Sequence, residues 1–170
     1  MPEDDDENPI SEIRRAIAAN DGSALLAAAE NVHYADLADL YEHLEDDERD
    51  FLFKTIGPEL ATDVVAELPD SLIEESLSHF KPAQLRVLLG NLSDDDRVDI
   101  FQVVSEEEQV RFFSLLGPRD RELTKSLLKY DEDSAGGRMT TQVGRITADM
   151  TVKQALAVLR RDREDTETLA

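Results

Sequence analysis

The side chains able to do chemistry in this chain are mostly carboxylates. Thirty-nine Asp and Glu face eighteen Lys and Arg, for a formal net charge of −21. Carboxylate oxygens are hard ligands, so a convergent group of them would take a hard divalent cation. The same charge repels nucleic-acid phosphate and anionic lipid headgroups, so neither is expected as a partner. Two readings of the acids stand side by side: a solvated helical surface, as in a salty cytoplasm, or carboxylates gathered for a cation. Other chemistry has little support. Cysteine is absent, which excludes thiolate metal sites and disulfides and fits a reducing compartment. His33, His43 and His79 are far apart and show no metal-ligand or catalytic spacing, so capping or surface roles are expected. Ser134 has no nucleophile-elbow context. Asp131 to Gly136 begins like a calcium loop, but its fifth position is Ala135 and its twelfth is Gln142, where a bidentate acid is required. Gly136-Gly137 reads as a hinge and not as a phosphate cradle. No enzymatic activity is expected.

The elements that carry these acids follow from one ladder. Leu44, Ile56, Leu68, Phe80, Leu92, Val104, Leu116 and Leu128 stand at a constant interval of twelve. A continuous helix would turn successive rungs about 120° apart, so no single face could bury them all. The helix must break and restart. Gly57-Pro58, Pro69, Pro82, Ser93, Ser105 and Gly117-Pro118 follow their rungs by one or two residues, as break and capping signals should. Ser71 with Glu74, Ser93 with Asp96 and Ser105 with Glu108 have capping-box spacing or a weaker form of it. The pattern predicts helices over 10–19, 23–29 (capped by Ser23), 33–44, 46–55, 58–67, 70–79, 82–91, 94–103, 106–115 and 118–129. The expected fold is all-α: a right-handed superhelix of about ten short helices, with no sheet before residue 130. Hydrophobic content is 41 % and aromatic content 5 %, enough for a mainly aliphatic core. Apolar runs reach only four or five residues, so no bilayer span or signal peptide is expected.

The character of the chain changes at Tyr130. Residues 1–9 read as a disordered acidic lead, 10–129 as the helical domain, 130–138 as a turn-rich joint and 139–170 as the start of a second unit. Met139 to Ile146 is a plausible extended piece. Thr151 should cap a helix bearing Val152, Ala155, Leu156 and Leu159.

Three segments carry a family likeness. The joint, Tyr130-Asp131-Glu132-Asp133-Ser134-Ala135-Gly136-Gly137-Arg138-Met139-Thr140-Thr141, resembles that of MgtE-type magnesium transporters and channels, between a helical cytosolic N domain and a pair of CBS domains. His33 to Leu40 is similar to the family's entry helix, with Tyr34 where Pro is usual. Ile146 to Leu156 resembles the opening of a CBS domain. The resemblance spans roughly residues 30 to 160.

The resemblance implies a regulatory role: a magnesium-sensing domain on the cytoplasmic side of the plasma membrane. Its acidic surface would hold Mg²⁺ against the CBS domains and the pore-linking helix of the same homodimeric parent. Mapping by local pattern, it implies Asp63, Asp95 and Asp99 as carboxylate ligands and Gly137 as a backbone-carbonyl ligand. Asp95 and Asp99 are four apart and so share a helix face. The pore would lie downstream, and binding by this piece alone would be weak. Less than one CBS domain is present, so no nucleotide site is assigned. Two rivals remain: a stand-alone acidic scaffold for a basic protein partner, and an acid-rich domain of a salt-adapted cell with no specific ion site.

Overall fold

A chain forced to turn every twelve residues folds as a zigzag of short helices. The structure, a computed structural model, describes residues 9–131, 134, 136, 139 and 146–161. Among these it contains ten helices and no strand. They are α1 (Pro9–Ala18), α2 (Gly22–Ala29), α3 (Tyr34–Glu42), α4 (Asp46–Ala66), α5 (Asp70–Ser78), α6 (Pro82–Asn91), α7 (Asp94–Val103), α8 (Glu106–Leu115), α9 (Pro118–Leu127) and α10 (Val152–Arg161). α1 to α4 pack among themselves. Beyond them alternate helices stack, α4 on α6, α5 on α7, α6 on α8 and α7 on α9, which makes two layers. The all-α architecture is the one expected.

The rungs close the helices. From Leu44 to Leu116 they are 1 to 6 % exposed, and Leu128 packs half-buried against the same core. Leu92, Val104 and Leu116 each cap the C-terminus of a helix in extended backbone, with ψ of 146°, 156° and 145°. The rung therefore drops into the core while the chain reverses, and the next residue, Ser93, Ser105 or Gly117, N-caps the following helix. Ten helical residues, one rung and one cap account for the period of twelve. Around the rungs, Phe53 stacks on Tyr41 at 4.6 Å and lies 5.3 Å from Phe80, while Phe101 lies 4.6 Å from Phe113.

Most break signals act as read, with informative exceptions. α4 runs through Gly57-Pro58 but is not one continuous helix: Gly57 has φ 74° and ψ 173°, so 46–56 and 58–66 are separate helical pieces. Ser93 Oγ accepts from Asp96 N–H (3.1 Å) and Ser105 Oγ from Glu108 N–H (3.4 Å). Thr151 caps α10 reciprocally with Gln154. Ser23 is not the cap of α2. Asp21 takes that place, accepting from the amides of Ser23 (3.1 Å) and Ala24 (3.0 Å), because a carboxylate one residue before the helix reaches both. Ser71 caps nothing either: Pro69 occupies the N-cap of α5 and Ser71 lies inside the helix. Glu74, freed from that box, crosses to α8 and accepts from Ser105 N–H (2.8 Å) and Oγ–H (3.1 Å). α1 starts at Pro9, where proline suits a first helical position. Of the expected lead and the extended piece, residues 1–8 and 140–145 lie outside the described residues. No helix among the described residues is long and apolar enough to cross a membrane.

A second device recurs five residues after a rung. Arg97, 1 % exposed, donates from Nε to Leu89 O (2.9 Å) and from Nη2 to Leu92 O (2.8 Å), and its Nη1 lies 3.3 Å from buried Asp94. Arg49 donates to Tyr41 O and Glu42 O, both at 3.1 Å, and pairs with Glu75. Gln109 donates to Val104 O (3.3 Å) and Arg121 to Leu116 O (3.0 Å). Each reaches back to the end of the preceding helix, where carbonyls lack helical partners.

Gly57 is the break that tolerates no side chain on conformational grounds. A Cβ there has room, its nearest neighbour being Glu59 Oε2 at 3.6 Å, but the φ/ψ pair is one that essentially only glycine adopts. Gly57→Ala should therefore lose about 1–3 kcal/mol of stability. Urea unfolding at neutral pH, with an unchanged m-value, is the check.

Candidate functional site

α7 sets out its acids by helical geometry. It opens Asp94-Asp95-Asp96-Arg97, with Asp99 one turn on. At 100° per residue, Asp95 and Asp99 lie about 40° apart and about 150° from the midpoint of Asp94 and Arg97. Asp94 and Arg97 are buried, at 4 % and 1 % exposure. That fixes the roll of the helix: Asp95 is half-exposed and Asp99 exposed on the far side. Asp94 is thus committed inward, and its two neighbours are not. The Ser93 hydroxyl lies 2.6 Å from Asp95 Oδ1 and 2.6 Å from Asp96 Oδ2, donating to one at a time. Three acids in a first turn also suit the positive end of the helix dipole.

Asp63, on the second piece of α4, comes near this turn. The residue is exposed overall, but its carboxyl group is partly shielded from water. That shielding, and then the negative charge of Asp96, hold its pKa above the ordinary aspartate value. Asp63 and the α7 turn are therefore electrostatic neighbours through Asp96, a residue the sequence offered only as half of a capping box. Gly137 lies outside the described residues. Its neighbour Gly136 sits against the ring of Tyr130, where a Cβ would come within 2.6 Å of Cδ1. No group of three or more His, Asp or Glu able to hold a metal is assembled among the described residues. What α7 offers is an outward pair of carboxylates. This suits an ion that keeps several of its waters and takes only one or two protein oxygens from any one surface.

The histidines belong to other parts of the fold. His33 Nδ1 caps α3 by accepting from Ala35 N–H (3.3 Å), and His43 Nδ1 lies 2.7 Å from Asp39 O. His79 lies between α4 and α5, with Nδ1 3.3 Å from Asp50 Oδ1 and Nε2 3.9 Å from Glu75 Oε1. Asp50 is held below the usual carboxylate range, chiefly by its 2.6 Å bond from Lys54, against some desolvation. This knot pairs its acids with Lys54 and Arg49, unlike the surface around Asp63.

Residues 32–133, more than half of the chain, match the MgtE intracellular N domain family. The chain belongs to that family. The family is non-enzymatic and its domain intracellular, as the sequence led one to expect. The magnesium transporter MgtE of Thermus thermophilus is 32 % identical to it over 160 residues, which are 92 % of this chain and 36 % of that protein. The chain thus spans little more than a third of that relative's length. Among solved structures, the cytosolic domain of the Mg²⁺ channel MgtE in complex with ATP superposes with a TM-score of 0.87 at 33 % identity, over 94 % of this chain and 65 % of that one. The soluble part of a magnesium transporter shares the fold, with a TM-score of 0.85 at 21 % identity, over 94 % of this chain and 63 % of that one.

The Asp63 environment has a pH consequence. A carboxyl whose folded pKa is raised binds its proton more tightly in the folded state, so its ionisation works against folding. The penalty is absent below the unfolded pKa, grows as pH rises through the folded one and is complete above it. Asp63→Asn in this MgtE N domain should therefore be more stable than the parent chain at pH 7, with the advantage shrinking as the solution is acidified toward the ordinary aspartate pKa. Urea midpoints of the two proteins across that range would show it. An advantage independent of pH would mean that charge is not its origin.

Proposed function

We propose that this chain is the magnesium-sensing cytosolic N domain of an MgtE-type transporter, with Asp95 and Asp99 as its principal ligands and Asp63 and the Gly137 carbonyl as further ones. The outward placement of Asp95 and Asp99 by a buried Asp94–Arg97 pair carries the reading. The helical domain is 10–129, the joint 130–138, and 139–170 is the opening of a CBS domain. The exposed apolar Val152 and Leu156 of α10, at 77 % and 46 %, support that last point, since such a face needs the rest of a domain to cover it.

Mg²⁺ bound in the seam would supply positive charge between acidic surfaces of this domain, the CBS domains and the pore-linking helix in the homodimeric parent. The chain's own residues do the rest. Asp95 and Asp99 present oxygens on a rigid helix, and the Ser93 hydroxyl orients Asp95 when it donates to it. Asp63 and Asp96, like charges on the same wall, add negative potential that draws a cation to it. Ion binding biases the closed arrangement only to the extent that the closed arrangement binds better, so half a ligand set on this wall implies weak affinity for the domain alone.

Protease protection of the full-length parent, titrated with magnesium, tests this. Asp95→Ala and Asp99→Ala should each raise the magnesium concentration for half-protection by about tenfold, the equivalent of one charge-assisted ligand contact. An unchanged midpoint in both variants would overturn the assignment.

A further inference from the structure

Arg97 is a buried cation on the one helix whose outward acids matter most to the proposed function. Its guanidinium ties α7 to the end of α6 through the carbonyls of Leu89 (2.9 Å) and Leu92 (2.8 Å), and pairs with Asp94 at 3.3 Å. These contacts sit on the side of α7 opposite Asp95 and Asp99, so they fix the azimuth at which the two carboxylates leave the surface. We infer that Arg97 is the positioning residue of the cation-binding wall: by clamping α7 to α6, it sets the direction of Asp95 and Asp99 toward the neighbouring module. The inference rests on the function proposed above and names how that site is held.

The repeat supplies a control in the same register. Arg121 occupies the same register in α9, five residues after its rung, and donates to Leu116 O at 3.0 Å. α9 carries none of the proposed ligands. A lysine at either position keeps the charge but loses the planar guanidinium, which at Arg97 serves two separate carbonyls.

The experiment uses the full-length parent and two readouts: urea unfolding, which reports any structural loss, and the magnesium midpoint for protease protection. Arg97→Lys should raise the midpoint at least threefold, whereas Arg121→Lys should leave it within experimental error even where it costs as much in urea. If Arg97→Lys fails to fold, Asp94→Asn/Arg97→Gln, which leaves no buried charge, takes its place with the same expectation. An unmoved midpoint in the folded variant overturns the inference, as does an equal shift in Arg121→Lys, which would reduce the effect to general destabilisation. Asp95→Asn and Asp99→Asn run alongside. If both leave the midpoint unchanged, the site itself is wrong and the inference falls with it. If they move it and Arg97→Lys does not, only the positioning role is lost.

Discussion

Each helix from α3 to α8 ends on a rung buried in the core, and that constraint shapes the rest. Burying a rung at a helix terminus draws the last carbonyls out of water, where an unsatisfied group costs about 1–3 kcal/mol. The chain has two answers. α4 and α5 end in tight turns, with Leu68 N–H on Val65 O and Phe80 N–H on Leu77 O, and the positions five after those rungs are the apolar Ile73 and Leu85. α6, α7 and α8 instead run into extended rungs that keep the regular i−4 bond, as in Leu92 N–H on Leu88 O. Their carbonyls then need an outside donor, and the position five after the rung is Arg97, Gln109 or Arg121. α3 uses both devices, a tight turn at Leu44 and the donor Arg49.

This choice of termination decides which way α7 faces. A helix that packs only through aliphatic side chains can roll by some degrees at modest cost, since such contacts are non-directional. Hydrogen bonds from a planar guanidinium to two carbonyls are directional. Asp94 neutralises that buried cation, so one acid of the first turn is used inward while Asp95 is left half-exposed. Burying both charges is not in itself a route to stability; what such a pair supplies is geometric definition.

Much of this was legible in the sequence because it is written in period. The interval of twelve gave the helices from α4 to α9 and the breaks between them, and Gly57 and Ser93 mark their turns by residue type alone. Ser23 and Ser71 misled because capping is decided by which residue stands at the boundary, and Asp21 and Pro69 stand there instead. Arg49 and Arg97 do not stand out in the sequence, where neither has an evident partner. Their shared register, five past a rung and repeated at Gln109 and Arg121, was the signal that could have revealed them. Among the acids, Asp94, Asp95 and Asp96 are indistinguishable as letters. Only the roll of α7 separates a buried counter-ion from an outward oxygen, and only the approach of α4 sets Asp96 beside Asp63.

The net charge of −21 is therefore not one uniform property of the surface. Glu75 is paired with Arg49, Asp50 with Lys54, and Glu74 with the amide and hydroxyl of Ser105. Glu75 and Glu74 thereby join helices, Asp50 and Lys54 pair within α4, and the charge of all three acids is met within the fold. Asp63 and Asp96 differ: the fold brings them near each other and meets Asp63 with partial desolvation and a like charge. An arrangement that raises the free energy of its own carboxylate gives up stability locally. On the reading proposed above, that unfavourable energy is what a cation shared with a neighbouring module relieves. Repulsion built into this wall strengthens its hold on the ion, while the coupling to domain arrangement comes from the oxygens the neighbouring module adds when docked, with no change needed in the helical array behind.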